Sequence, residues 1–334
     1  MRKEKEHIFS KKTISEINKN LQARKQSLIL INRRGYAPIS LCTKCGSKQK
    51  CSNCDINLVL HRKSELLICH HCGFTQEQTS NCNKCKSSKN IIYIGTGIEK
   101  VLEEAKKIFK TDSILALSSD TLKPETFKQT LKKIENNEIK ILIGTQMLSK
   151  GLDFDNVSLV GILNADSMLN FSDFRAYERA FQLISQVAGR SGRKGKKGKV
   201  LIQTYDIDNS IFSLIEKTDF NQFANNQLKE RKIFSYPPYN RLIKISIKHK
   251  DQKKVEDASL LFSNLLKASF GFRVLGPESP YVSRVRNNYI KNILLKIEHT
   301  SSIKEAKKIL LLVNEKIKLN SKFKTIKIDI DIDP

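Results

Sequence analysis

All eight cysteines of this chain fall in four C-x2-C pairs: Cys42/Cys45, Cys51/Cys54, Cys69/Cys72 and Cys82/Cys85. A cytosolic chain of 334 residues has little use for a disulfide framework. A redox reading of C-x2-C accounts for one pair at best. Each pair offers two thiolates and tetrahedral Zn2+ takes four, so the arithmetic gives two four-cysteine zinc sites. Four pairs combine in three ways. The inner two are separated by DINLVLHRKSELLI, in which residues 57–60 and 66–68 flank a polar turn as a short hairpin does. That places Cys51, Cys54, Cys69 and Cys72 on one metal and leaves Cys42, Cys45, Cys82 and Cys85 to close a second at the base of an insertion. Crossed pairing would require loops to thread, which folds rarely do. His61, His70 and His71 lie nearby, but sulfur already fills every position, so both zincs are expected to be structural.

A second constraint is the stretch 140–205. Residues Ile141–Gly144 and 157–163 are short β-branched runs of the kind found in buried parallel strands. A helix-patterned segment, 175–188, and a further strand, 200–204, follow. Between them lie GTQMLSKGLDF (144–154) and the turn GRSGR (189–193). Arg190 and Arg193, on a slim glycine-rich backbone at the edge of a parallel sheet, are suited to the charge on a transferring γ-phosphoryl group. The lysines at 194, 196, 197 and 199 read as a solvated basic loop rather than a phosphate track.

These two motifs together resemble motifs V and VI of superfamily 2 helicases. The string FRAYERAFQLISQVAGRSGR (174–193) resembles more specifically the primosomal protein N′ family of replication restart helicases. NRRGYAP (32–38) is similar to the start of that family's second RecA-like lobe, and YPP (236–238), VLGP (274–277) and DIDP (331–334) to its C-terminal domain. The resemblance implies the same nested zinc pairing. It implies that Gln186 aligns the GRSGR turn and that Arg190 and Arg193 face the γ-phosphate. Gly151 and Asp153 would sit at the nucleotide, and Thr96 and Thr145 on DNA. Gly95-Thr96-Gly97 opens a helix, where it is either a plain turn or an amide cradle for a phosphate.

The expected fold is α/β: a RecA-like second helicase lobe (1–40 and 88–232), interrupted by a double zinc-ribbon insertion (41–87), then a small α+β C-terminal domain (233–334). In the lobe, helices at 13–25, 98–110 and 126–136 alternate with strands at 27–31, 91–94, 114–117 and 141–144, the order of a parallel sheet with crossover helices. In the C-terminal domain, strands at 242–248, 272–275, 290–297 and 324–332 accompany helices at 255–266 and 303–317. Arg273, Arg284, Arg286 and Lys291 are candidates for a binding surface there.

A formal charge of +26 suits a polyanionic partner, although a lysine-rich bias also arises from an AT-rich genome. No apolar run approaches the roughly eighteen residues of a membrane helix, and the reading is soluble and cytoplasmic. The sequence holds no G-x4-G-K-[ST] loop and no Asp-Glu-x-His strand. It is therefore read as the C-terminal half of its family, with ATP and Mg2+ bound only together with a first lobe encoded elsewhere or lost. Expected partners are single-stranded and forked DNA, other primosome proteins, single-stranded-DNA-binding protein and the first lobe. The alternative is a non-catalytic zinc-stapled DNA- or protein-binding module.

Overall fold

A computed structural model describes residues 8–32, 37, 39–62, 64–117, 124–145, 156–171, 173–189 and 198–334. The chain divides into two compact units, one of Met1–Lys48, Val59–Leu67 and Gln76–Phe223, the other of Gln49–Leu58, Ile68–Thr75 and Ala224–Pro334. In chain order the elements begin α1 (Lys11–Gln22), β1 (Gln26–Leu30), β2 (Ile39–Cys42), β3 (Val59–His61), β4 (Leu66–Ile68), β5 (Thr75–Glu77) and β6 (Ile91–Ile94). There follow α2 (Ile98–Phe109), β7 (Ile114–Leu117), α3 (Pro124–Glu135), β8 (Ile141–Gly144), β9 (Val157–Ile162), α4 (Asp166–Leu169), α5 (Ala176–Ala188) and β10 (Lys199–Ile202). Two short helices, α6 (Ser210–Glu216) and α7 (Phe220–Ile233), lead out of the first unit.

The first unit is built on a five-stranded sheet in the order β10-β9-β1-β8-β7, every pairing parallel. Its central strand, β1, is buried at all five positions; Leu28-Ile29-Leu30 is apolar without alternation, and the buried Gln26 side chain donates to the Ile134 and Ile139 carbonyls at 2.8 Å. Side chains alternate between the two faces all the same. Leu28, Leu30, Leu142, Val160 and Ile162 pack with Phe181, Ile184 and Val187 of α5. Ile29, Ile141, Ile143 and Leu159 face the other way, against Ile17 of α1 and Val101, Ala105 and Phe109 of α2. Each buried Leu or Ile contributes about 1.5–3 kcal/mol, so helices on both faces are a condition of the sheet's stability.

One expectation changes on the structure. Ile91–Ile94, read as a lobe strand, lies outside the parallel sheet and pairs antiparallel with β2 in a separate two-stranded ribbon, Ile39 opposite Ile94 and Cys42 opposite Ile91. Ile92 and Ile94 are exposed on it, which a strand covered on both faces would not allow. The hairpin expected between the inner cysteine pairs forms as β3 and β4, and β5 extends it to three strands.

The second unit carries β11 (Asn240–His249), α8 (Gln252–Phe270), β12 (Val274–Glu278), β13 (Arg284–Val285), β14 (Asn288–Glu298), α9 (Ile303–Leu319) and β15 (Lys327–Ile332). Its sheet runs β12-β14-β11-β15, antiparallel, with β13 paired to β14. Alternation is explicit: Ile243, Ile245 and Ile247 of β11 and Ile293, Leu295 and Ile297 of β14 point into one core with α8 and α9. Gly276 has φ +94°, and a Cβ there would meet the Asn292 carbonyl at 2.8 Å, so the VLGP motif is fixed by backbone geometry.

A polar tie fastens α1 to the sheet edge. Glu16, largely buried, accepts from Lys199 at 2.8 Å and from Lys19 at 3.1 Å. Lys199 is the first residue of β10, so this pair fixes α1 against the start of that strand. The Lys199 and Lys19 hydrogen bonds, opposed by burial, hold the Glu16 carboxyl down at about 2 instead of the usual 4.5. A carboxyl depressed in the folded state stabilises fully above its unfolded pKa, and that contribution is lost as pH falls through the folded value. Glu16→Gln is therefore expected to melt below the wild type at pH 7, with the gap closing as pH falls from about 4.5 towards 2. A gap independent of pH across that window would contradict the assignment.

Candidate functional site: two tetrathiolate clusters

The cysteine pairs fold as near-repeats of one turn. In all four the first cysteine's amide donates to the carbonyl five residues on: Cys42 to Ser47, Cys51 to Ile56, Cys69 to Phe74 and Cys82 to Ser87. In three of them its carbonyl accepts from the amide four residues on, that of Gly46, Gly73 or Lys86. Those closing residues all have positive φ, +70°, +80° and +57° respectively, and glycine fills two of the three places. Such a turn points both sulfurs to one side. The ribbon of β2 and β6 then brings the outer pairs together, with the Thr43 amide on the Asn90 carbonyl at 2.8 Å.

The result is two groups, Cys42, Cys45, Cys82 and Cys85, and Cys51, Cys54, Cys69 and Cys72, with the sulfurs of each group within 4.8 Å of one another. This is the nested pairing. A tetrahedral zinc with Zn–S near 2.3 Å requires sulfurs about 3.8 Å apart. The separations are 3.7 Å for Cys42–Cys85, 3.6 Å for Cys45–Cys82 and 3.6 Å for Cys51–Cys72. The donor set and its spacing fit zinc at both places.

Electrostatics point the same way. Despite the Ser47 amide, burial and the neighbouring sulfurs push Cys45 up to about 11. Although burial opposes it, the Cys45 amide and Ser87 hydroxyl bring Cys42 down to about 6. In the second cluster, burial and the thiols beside it push Cys51 up to about 12. There Cys72 comes down to about 7 against its own burial, through the Phe74 amide and neighbouring sulfurs. The opposed directions within each cluster have one cause: ionising one sulfur raises the cost of ionising its neighbours. Only a dication would ionise all four, and its binding would expel the remaining protons. No histidine is needed to complete either set. His61 Nδ1 lies 2.9 Å from Glu99 Oε1, and Glu99 also accepts from the Arg62 amide, which ties β3 to the first turn of α2.

The residues expected to serve nucleotide and DNA are placed as follows. Thr145 is buried at the carboxyl end of β8, the edge at which α/β sheets bind ligands. Thr96 is half-buried between β6 and α2, and Gln186 is exposed on α5. Gly151, Asp153, Arg190 and Arg193 lie outside the described residues. Of the C-terminal basic residues, Arg273 is paired with Glu298, Arg284 with Asp55, and Lys291 donates to Ser279; Arg286 is exposed. Two side chains that local pattern did not single out organise the lobe. Asp166 accepts from the Thr204 hydroxyl and the Tyr205 amide at 2.7 and 3.0 Å, which hold its carboxyl low against burial. Gln203 joins β10 to Ser10 and Thr13 at the start of α1.

Purified chain is expected to carry two zinc ions by elemental analysis, both released on acidification because protons compete for the thiolates. One zinc or none in protein prepared with zinc present would contradict the two-site reading.

The sequence matches three family descriptions in order: PriA DNA helicase Cys-rich region over residues 51–76, helicase conserved C-terminal domain over 68–195, and primosomal protein N C-terminal domain over 232–334. Among curated relatives, the replication restart protein PriA of Rickettsia felis is 39% identical over 329 residues, 98% of this chain and 50% of the relative. That of Bacillus subtilis is 32% identical over 98% of this chain and 40% of its own length, and that of Borreliella burgdorferi 34% over 100% and 50%. A solved helicase domain, Mss116p DEAD-box helicase domain 2 bound to an RNA duplex, covers 62% of this chain and 53% of its own at 17% identity and a TM-score of 0.31, a likeness too loose to bear on function. The chain belongs to the primosomal protein N′ family, the PriA replication restart proteins, and spans about half the length of the curated relatives it matches.

Proposed function

We propose that these residues form the second motor lobe, zinc region and C-terminal domain of a replication restart helicase, an ATP-driven translocase of 3′-to-5′ polarity that acts at stalled forks. What carries this reading is the co-occurrence, in one chain and in family order, of the Cys-rich, helicase and C-terminal matches. The parallel sheet with Thr145 at a strand's carboxyl end is the architecture such a lobe uses to hold DNA and nucleotide. In this proposal Thr96 and Thr145 meet the DNA backbone, Gly151 and Asp153 the nucleotide, and Gln186 orients the turn from which Arg190 and Arg193 reach the γ-phosphate. Motors of this class work by positioning and charge stabilisation. A first lobe would supply the phosphate-cradling amides, the lysine and the Mg2+-holding carboxylate. The two zinc sites would be structural. Single-stranded and forked DNA, other primosome proteins and single-stranded-DNA-binding protein are the proposed partners.

The reading is tested on the 334-residue polypeptide itself. Alone it is expected to show no DNA-stimulated ATPase, since its sequence holds no Walker loop. Supplied with the family's first lobe by fusion or in trans, it should hydrolyse ATP, and Arg193→Ala should then cost roughly 10³–10⁵ in rate with zinc content unchanged. Robust ATPase from the polypeptide alone, or full activity of the complemented Arg193→Ala variant, would overturn the proposal. Its affinity for single-stranded DNA should fall with salt at about −0.7 log units per log unit for each phosphate contact. A salt-independent affinity would show that its positive charge does not serve phosphate binding.

A further inference from the structure

The second cysteine pair keeps the first bond of the shared turn, the Cys51 amide to the Ile56 carbonyl, but lacks the bond that closes the other three. Its closing position, four residues after Cys51, is Asp55, and the Asp55 amide does not return to the Cys51 carbonyl. It donates instead to the carbonyl of Arg284, 2.9 Å away. Arg284 begins the tight β13–β14 hairpin, whose two turn residues, Arg286 and Asn287, have φ +49° and +60°. That hairpin engages three consecutive residues of the pair, Asn53, Cys54 and Asp55. The Asn287 amide donates to the Asn53 carbonyl at 2.8 Å. The Arg286 amide donates to Cys54 Sγ at 3.3 Å, where Cys54 is fully buried. The Asp55 carboxylate accepts from Ser283 at 2.8 Å and from Arg284 Nε at 3.2 Å. Asn53-Cys54-Asp55 is therefore closed by residues some 230 positions further along the chain. The same grouping appears in the compact units, where Gln49–Leu58 and Ile68–Thr75 belong with Ala224–Pro334.

We infer that the second zinc site is a metal-dependent joint between the Cys-rich segment and the C-terminal domain, in which the β13–β14 turn supplies the outer-shell donor to Cys54 and the metal in return fixes that turn. An amide that donates to a coordinated thiolate stabilises its negative charge and orients the sulfur, and losing such a partner typically costs 10–100-fold in metal affinity. Arg284 and Asp55 are positioning residues, because their ion pair holds the hairpin in register with the pair. Conversely, two adjacent residues at positive φ are locally strained, and at this turn their amides are bound to the cysteine pair. Without the second metal the turn loses that fixing. The first site, closed by Gly46 and Lys86 of its own turns, has no such dependence. The inference rests on zinc occupying the second cluster, and the experiment reads that occupancy separately.

The test uses the full chain. Zinc is counted by elemental analysis, chelator-driven release is resolved by peptide-mapped cysteine alkylation, and amide deuterium exchange is followed over residues 283–290. Arg284→Ala is expected to speed release from Cys51, Cys54, Cys69 and Cys72 by ~10-fold or more, leaving the other four cysteines at the wild-type rate. In the opposite direction, Cys69→Ser, remote in sequence from the hairpin, should raise exchange at 283–290 while β15 stays protected. Cys82→Ser, which removes the first site, should leave 283–290 unchanged. Wild-type release rates at the second cluster in Arg284→Ala, or unaltered exchange at 283–290 in Cys69→Ser, would overturn the joint. A wild-type chain found with zinc only at the first cluster would overturn its premise.

Discussion

Four sulfurs gathered within 4.8 Å cannot all be thiolates without a dication among them, and this chain gathers them twice. That electrostatic constraint governs the cysteine-rich segment as a core governs a larger domain. Among the described residues between 42 and 85 the regular structure is three short strands, with Leu58, Leu60 and Leu67 as the buried aliphatic side chains. Folding free energy of a segment so poor in core must come largely from the metal, for which structural zinc supplies on the order of 10 kcal/mol in small domains. The polar turns around the cysteine pairs, three of them closed by a left-handed residue, are organised towards that end.

The lobe solves a different problem. Its sheet is apolar on both faces, so α1 and α2 on one side and α5 on the other are all required before β1 can be dry. At the edge strand β10 the helices give way to specific polar contacts, Lys199 with Glu16 and Gln203 with Thr13. These lie immediately after the segment that carries Arg190 and Arg193. Buried polar ties of this kind define one geometry where hydrophobic contact alone would tolerate several.

Much of this was legible in the sequence because the signals are local. C-x2-C spacing fixes which sulfurs share a turn, and the hairpin between the inner pairs fixes which turns share a metal. Largely apolar runs at 27–31, 141–144 and 157–163 mark buried parallel strands, and the alternation in 243–247 and 293–297 marks a half-covered sheet. Ile91–Ile94 misled because four apolar residues in a row resemble a lobe strand, yet its burial alternates and its partner is Ile39–Cys42. The helix Phe220–Ile233 passed unread, since Phe223 is its one buried residue and leaves almost no periodicity. Hardest to foresee was Asp55 with Arg284. Neither residue is unusual where it stands, and 229 positions separate them, so their ion pair leaves no local signal.

The central claim is that both clusters are complete all-sulfur zinc sites. Zinc K-edge absorption spectroscopy of the purified chain addresses it without mutation or assay. The account predicts a first shell of four sulfurs near 2.3 Å with no light scatterer, the same for both ions. A nitrogen or oxygen neighbour near 2.0–2.1 Å, from one of the histidines or from water, would contradict it and reopen the assignment of both sites.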